Sequence, residues 1–142
     1  GRRGCGEAYA SATALIRDTK RAMEKHPESL MNEIAKKEGK VTGRTAFDAM
    51  NAGDKTAKAL VSRYIRYVGE GLVNIGNYIR PEIIFMGGGI SNQGDWFIKR
   101  LQAYVTRYSY GGKRNPYIKV VKATLKNEAG ILGAAALVAK SS

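Results

Sequence analysis

The chain has 142 residues, 44% of them hydrophobic and 25% charged, which suits one cored globular domain and excludes an intrinsically disordered one. No run approaches the roughly 18 consecutive apolar residues of a membrane span, and Gly1-Arg2-Arg3-Gly4 lacks the apolar core of a secretion signal, so a cytoplasmic setting with no membrane partner is expected. The formal charge of +12 permits attraction to phosphates of a nucleotide or a nucleic acid without choosing between them.

Cys5 is the only cysteine, which excludes an intrachain disulfide and leaves a free thiol or one ligand of a shared metal site. Beyond an opening Gly-Arg turn, Ala8, Ala12, Leu15, Ile16, Ala22 and Met23 fall at helical spacing and predict one helix over residues 7–25. His26-Pro27 stops it, and His26 reads as a surface histidine. Ser29 can cap a short helix through about Lys37 that ends at Gly39, and Thr42 or Thr45 can begin another that runs to Met50. From Asp54 to about Ile79, the positions Ala57, Leu60, Val61, Tyr64, Ile65, Val68, Leu72, Ile75 and Ile79 recur every three or four residues and predict a long central helix. Gly69, Gly71 and Gly76 weaken helix propensity by about 1 kcal/mol each relative to Ala, which implies close approach of a neighbouring element.

Pro81 ends that helix, and residues 82–86 read as a buried strand that opens directly onto Gly87-Gly88-Gly89. Three positions without side chains let a flat ligand lie against backbone, although ordinary tight turns use glycine too. Ser91 serves either as a polar neighbour of such a ligand or as a helix cap. A helix over residues 95–108 aligns Phe97, Leu101, Tyr104, Val105 and Tyr108. Gly111-Gly112 and Asn115-Pro116 make a loop, with Lys113-Arg114 at its tip. Ile118, Val120 and Val121 suggest a second strand, and Asn127-Glu128 opens a final helix over residues 129–139 whose Ala129, Gly130, Gly133, Ala134 and Ala136 form a small-residue face. The class is α/β, helix-rich, with a sheet too small for a typical doubly wound domain. The basic residues lie dispersed on helix faces, no recognition motif interleaves aromatics with cations, and a nucleic-acid partner is not favoured.

Three segments carry a family resemblance. Gly1-Arg2-Arg3-Gly4-Cys5-Gly6-Glu7-Ala8-Tyr9-Ala10-Ser11 resembles the second half of the zinc signature C-x-C-G-x-x-G-C-x-E of the ROK family, the bacterial sugar kinases and related repressors. Met86-Gly87-Gly88-Gly89-Ile90-Ser91 is similar to the adenosine motif of the actin-like ATPase superfamily, and Asn127-Glu128-Ala129-Gly130-Ile131-Leu132-Gly133-Ala134-Ala135 looks like the family's closing helix.

The resemblance implies an actin-like ATPase (ribonuclease H-like) fold, of which residues 1–142 form the C-terminal lobe, with the N-terminal lobe and the first half of the zinc motif absent. It implies an ATP- and Mg2+-dependent glucokinase-like enzyme that phosphorylates glucose at the 6-hydroxyl. Glu7 then matches a glutamate that accepts hydrogen bonds from sugar hydroxyls. Gly87, Gly88, Gly89 and Ser91 match the adenosine side of the nucleotide site, and Cys5 matches one ligand of a structural Zn2+ whose other ligands lie upstream. No catalytic residue is expected here, because the phosphate loop and the aspartate base of the family also lie upstream, so the fragment alone is expected to be inactive. A homodimer is expected. A sugar-responsive ROK repressor, or a kinase for fructose or N-acetylmannosamine, is the alternative.

Overall fold

The computed structural model describes residues 4–114, 118–124 and 129–140. Its frame is α5 (Lys55–Ile79), a helix of 25 residues against which four other helices pack. Leu60, Val61, Tyr64, Ile65, Val68 and Leu72 repeat at helical spacing and are all buried, as is Val73 next to the last of them. The stripe stops short of the expected end. Ile75 is 45% exposed and Ile79 67%, while Gly76 in the same stretch is buried.

The N-terminal region folds as two helices rather than the one expected. α1 (Glu7–Ala10) ends at Ser11, whose extended backbone (φ −83°, ψ 164°) starts α2 (Ala12–Lys25) with its side-chain oxygen accepting from Ala14 N–H. The carbonyls that a continuous helix would use internally go elsewhere. The Tyr64 hydroxyl donates to Ala10 O at 2.9 Å, and Arg17 Nη2 donates to Ala8 O at 2.9 Å. Apolar spacing is blind to a break of this kind, since both halves keep the same period.

α3 (Leu30–Glu38) is capped by Ser29 and closed by Gly39 at φ 71°, and α4 (Thr45–Asn51) buries Thr45, Ala46, Phe47 and Ala49 against α5. Asp54 caps α5 and is shared with α3: it accepts from Ala57 N–H at 2.7 Å, Leu30 N–H at 2.7 Å and Ser29 Oγ at 2.8 Å. Burial pushes its carboxyl up, but the hydrogen bonds from Ala57, Ser29 and Leu30 outweigh this and hold it below the usual carboxylate range.

β1 (Ile83–Met86) and β2 (Lys119–Lys122) pair in parallel with Ile84 opposite Val120, joined through α6 (Asp95–Tyr108) as a strand–helix–strand unit. One face of this small sheet lies on α6. On the other, Ile83 and Phe85 are exposed. Phe97, Leu101 and Val105 carry α6 into the core, where Phe47 and Phe97 meet edge-to-face with ring centroids 6.0 Å apart. Tyr108, at the end of the predicted apolar stripe, is 49% exposed. α7 (Ala129–Lys140) forms where predicted, and residues 130–139 are exposed along its whole length. The expected loop at Asn115-Pro116 and the helix-opening Asn127-Glu128 lie outside the described residues.

Candidate functional site

The bend after β1 is a conformation that only part of the glycine run requires. Gly88 has φ 77° and ψ 178°, a region essentially restricted to glycine, whereas a Cβ on Gly87 or Gly89 would meet nothing closer than Ala123 Cβ, 3.9 Å from the former. The run does not pass straight into α6, as the sequence suggests. A 3-10 turn, Gly89–Gln93, intervenes, and Gly94 (φ 98°) precedes α6 with no side-chain cap. Ser91 is therefore not the cap of that helix. It is buried, and its hydroxyl donates to Gly88 O at 2.7 Å while its N–H reaches the same oxygen at 3.1 Å, so it fixes the bend from behind.

Gly89 opens onto a cavity of about 660 Å³ whose other walls include Ala12 at the α1–α2 junction and Arg44, Asp48 and Asn51 on α4. The cavity thus brings the glycine turn together with the segment that follows Glu7. Gly87, Gly88, Ser91 and Glu7 do not line it. Arg44, Asp48 and Asn51 are absent from the residues singled out in the sequence, yet they stand four and three residues apart, the spacing that puts side chains on one helix face. Arg44 Nε lies 3.9 Å from Asp48 Oδ2, leaving the carboxylate beside the glycine turn partly compensated. The backbone at Gly89 is open, with nothing within 4 Å of where a Cβ would stand.

Glu7 is the first residue of α1 and exposed, and its carboxylate has no hydrogen-bond or ion-pair partner among the described residues. The helix that carries it is held at its far end by Tyr64 and Arg17. Burial pushes the Tyr64 hydroxyl up to about 12, so it stays a donor across the working pH range. Cys5, two residues earlier, is an exposed free thiol. Among the described residues no three of His, Cys, Asp and Glu come together, so Cys5 supplies at most one of the four ligands of a tetrahedral zinc site. His26, exposed, pairs with Glu28 at 3.1 Å, as expected of a surface histidine.

The family model for the ROK family matches residues 1–141. The chain belongs to the ROK family. It is 33% identical over 138 residues to a glucokinase of Halalkalibacterium halodurans, covering 97% of this chain and 42% of that protein. A glucokinase of Thermotoga maritima is 34% identical over 138 residues, at 97% and 43% coverage. Among solved structures, a ROK family glucokinase from Streptomyces griseus in complex with glucose and AMPPNP superposes with a TM-score of 0.82 at 29% identity, covering 96% of this chain and 45% of that one. The ROK fold of sugar kinases, an actin-like ATPase fold, is accordingly the fold of this chain, and its helix-rich composition and two-stranded sheet agree with the α/β expectation. The chain spans less than half the length of the relatives it matches. Among the described residues no helix is long and apolar enough to cross a membrane.

Proposed function

We propose that this chain is the C-terminal lobe, residues 1–142, of a cytoplasmic ROK sugar kinase that transfers the γ-phosphoryl group of ATP to the 6-hydroxyl of glucose. The supporting observation is the likeness along nearly the whole chain to a glucokinase whose complex holds both glucose and AMPPNP. In this reading Glu7 accepts hydrogen bonds from sugar hydroxyls, and the bend at Gly87, Gly88 and Gly89 with the wall around it receives the adenosine of ATP. Ser91 keeps that bend in shape. ATP with its Mg2+ supplies the phosphoryl group and charge neutralisation, and the base that takes the hydroxyl proton comes from the other lobe. Cys5 contributes one thiolate to a structural Zn2+ completed by upstream ligands, and the full protein is a homodimer. This lobe alone turns nothing over. The relatives named above are kinases, which favours a kinase over a sugar-responsive repressor.

Two variants of the full-length protein test the assignment. Glu7→Gln keeps the size of the side chain and halves its capacity to accept from two hydroxyls, and should raise the KM for glucose about tenfold or more, roughly 1.4 kcal/mol. Gly88→Val forces a β-branched residue into a left-handed, extended backbone that costs about 1–3 kcal/mol, and should weaken ATP binding measured by calorimetry. A parental KM in the first, or parental ATP affinity in the second, removes that residue from the site.

A further inference from the structure

A second concave site lies away from the glycine bend, between α2 and α5. It encloses about 670 Å³, within the size range of small-molecule sites. Its walls are two facing helical stripes. On α2 stand Arg17, Arg21 and Lys25, each one turn from the next; on α5 stand Lys55 and Arg63, separated by the small Ala59 that leaves the space open. Tyr67 closes one end, its ring edge-to-face with Tyr9 at 5.4 Å.

Five cations thus face a single carboxylate, Asp18. Arg17 Nε takes that carboxylate at 2.9 Å, and Arg21 Nη1 lies 3.9 Å from the same oxygen. No ion pair involves Lys25, Lys55 or Arg63 among the described residues. Like charges one turn apart on a helix repel, and an anion between them relieves that repulsion. The dipole of α5 adds nothing, since Asp54 already occupies its N-terminus. The attraction rests on side chains alone.

We propose that this groove binds an oligophosphate, a ligand with two or more consecutive phosphate groups. Two rows of cations with a gap between them match a linear anion whose charges repeat along its length, and guanidinium forks engage phosphate oxygens two at a time. The inference stands apart from the kinase reading, because its test is direct binding rather than turnover.

Calorimetry on the intact protein with inorganic triphosphate should give one binding event, roughly tenfold or more tighter than orthophosphate at the same ionic strength. Arg21→Ala/Arg63→Ala should weaken it by a further tenfold or more, while Lys36→Ala/Lys37→Ala, two cations on α3 outside the groove, should leave it unchanged. Because Arg63 stands beside the core residue Leu60, Lys25→Gln/Lys55→Gln at exposed positions gives a second variant, with the same loss expected. Gly88→Val should retain triphosphate binding, which separates this groove from the proposed adenosine site. Displacement of triphosphate by ATP, with shifts at Tyr9 and Tyr67, identifies a nucleotide tail as the source; no displacement identifies the inorganic chain. Equal affinity for orthophosphate and triphosphate, or undiminished binding in both groove variants, would overturn the proposal. So would equally tight, groove-dependent binding of an oligoglutamate peptide or a short DNA duplex, which would reassign the groove to an acidic protein segment or a nucleic acid.

Discussion

Asp54 shows how one side chain can set the relation between two helices. Its carboxylate accepts at the start of α5 and, across 24 and 25 residues of sequence, from the start of α3. Asp54→Ala leaves buried donors unanswered and should cost about 1–3 kcal/mol in urea unfolding. The pH dependence has a definite sign. A carboxyl held below its ordinary value near 3.9 contributes stability that is complete above that pH and drains away as the pH falls through the lowered value. The parent should lose more stability than Asp54→Ala over that acid range, and parallel losses would remove Asp54 from the account. At the other extreme Tyr64 is raised to about 12, so its contribution is intact below about 10 and is lost as the pH climbs through 12. The capping role of Asp54 is legible in the sequence, because a polar residue before an apolar stripe is a local signal. Its bonds to Ser29 and Leu30 are not, since nothing in a helical period reports on a partner that distant.

At the scale of elements, the three glycines of α5 divide by what stands opposite them. A Cβ on Gly69 would fall 2.6 Å from Tyr104 Cδ1 and 2.7 Å from Cγ, near the root of a ring whose hydroxyl donates to Glu70 at 2.6 Å. That ring cannot step aside, and Gly69→Ala should destabilise by about 1–3 kcal/mol. Gly76 meets the terminal carbon of Ile118, 2.5 Å from Cδ1, with Ser109 Oγ at 3.6 Å, and Gly76→Ala should be milder because the end of an aliphatic chain can shift more readily than the root of a ring. Gly71 faces open space, so Gly71→Ala should raise the melting temperature by the equivalent of about 0.5–1 kcal/mol. Thermal unfolding of the three variants checks the order, and a stable Gly69→Ala would refute the close approach of α6. The expectation of tight contact therefore holds at two of these positions and fails at the third. Helical spacing placed α3, α5 and α6, and short apolar runs placed both strands, to within a residue or two, because burial on one face writes itself into the pattern. The break at Ser11 and the 3-10 turn before α6 left no such trace, for each depends on carbonyls satisfied by Tyr64, Arg17 or Ser91 from elsewhere in the fold. Glu7 and the glycine run stand out in the sequence only through motif likeness, whereas Arg44, Asp48 and Asn51 carry no motif and share a wall with Gly89 only through the packing of the fold.

Over the whole molecule, several large apolar side chains remain exposed. Ile131, Leu137 and Val138 on α7 are each at least 70% exposed, and Phe85 on β1 and Tyr78 on α5 are 67% and 91% exposed. A helix apolar on every side is ordinarily buried, and parallel strands are ordinarily covered on both faces. This 142-residue chain on its own should self-associate with rising concentration and bind a hydrophobic dye, and Ile131→Glu/Leu137→Glu should reduce both signals. Sedimentation that stays monomeric at every concentration in the parent would contradict this.

The pairing of β1 with β2 leaves an outer margin on each strand among the described residues. Along β1 the side chains alternate, Ile84 and Met86 turned inward and Ile83 and Phe85 outward. Any strand that joins this margin must match that parity, because a slip of one residue would exchange its greasy and wetted sides. Admission to the sheet is thus decided by odd and even positions, a selection rule that four residues are enough to enforce.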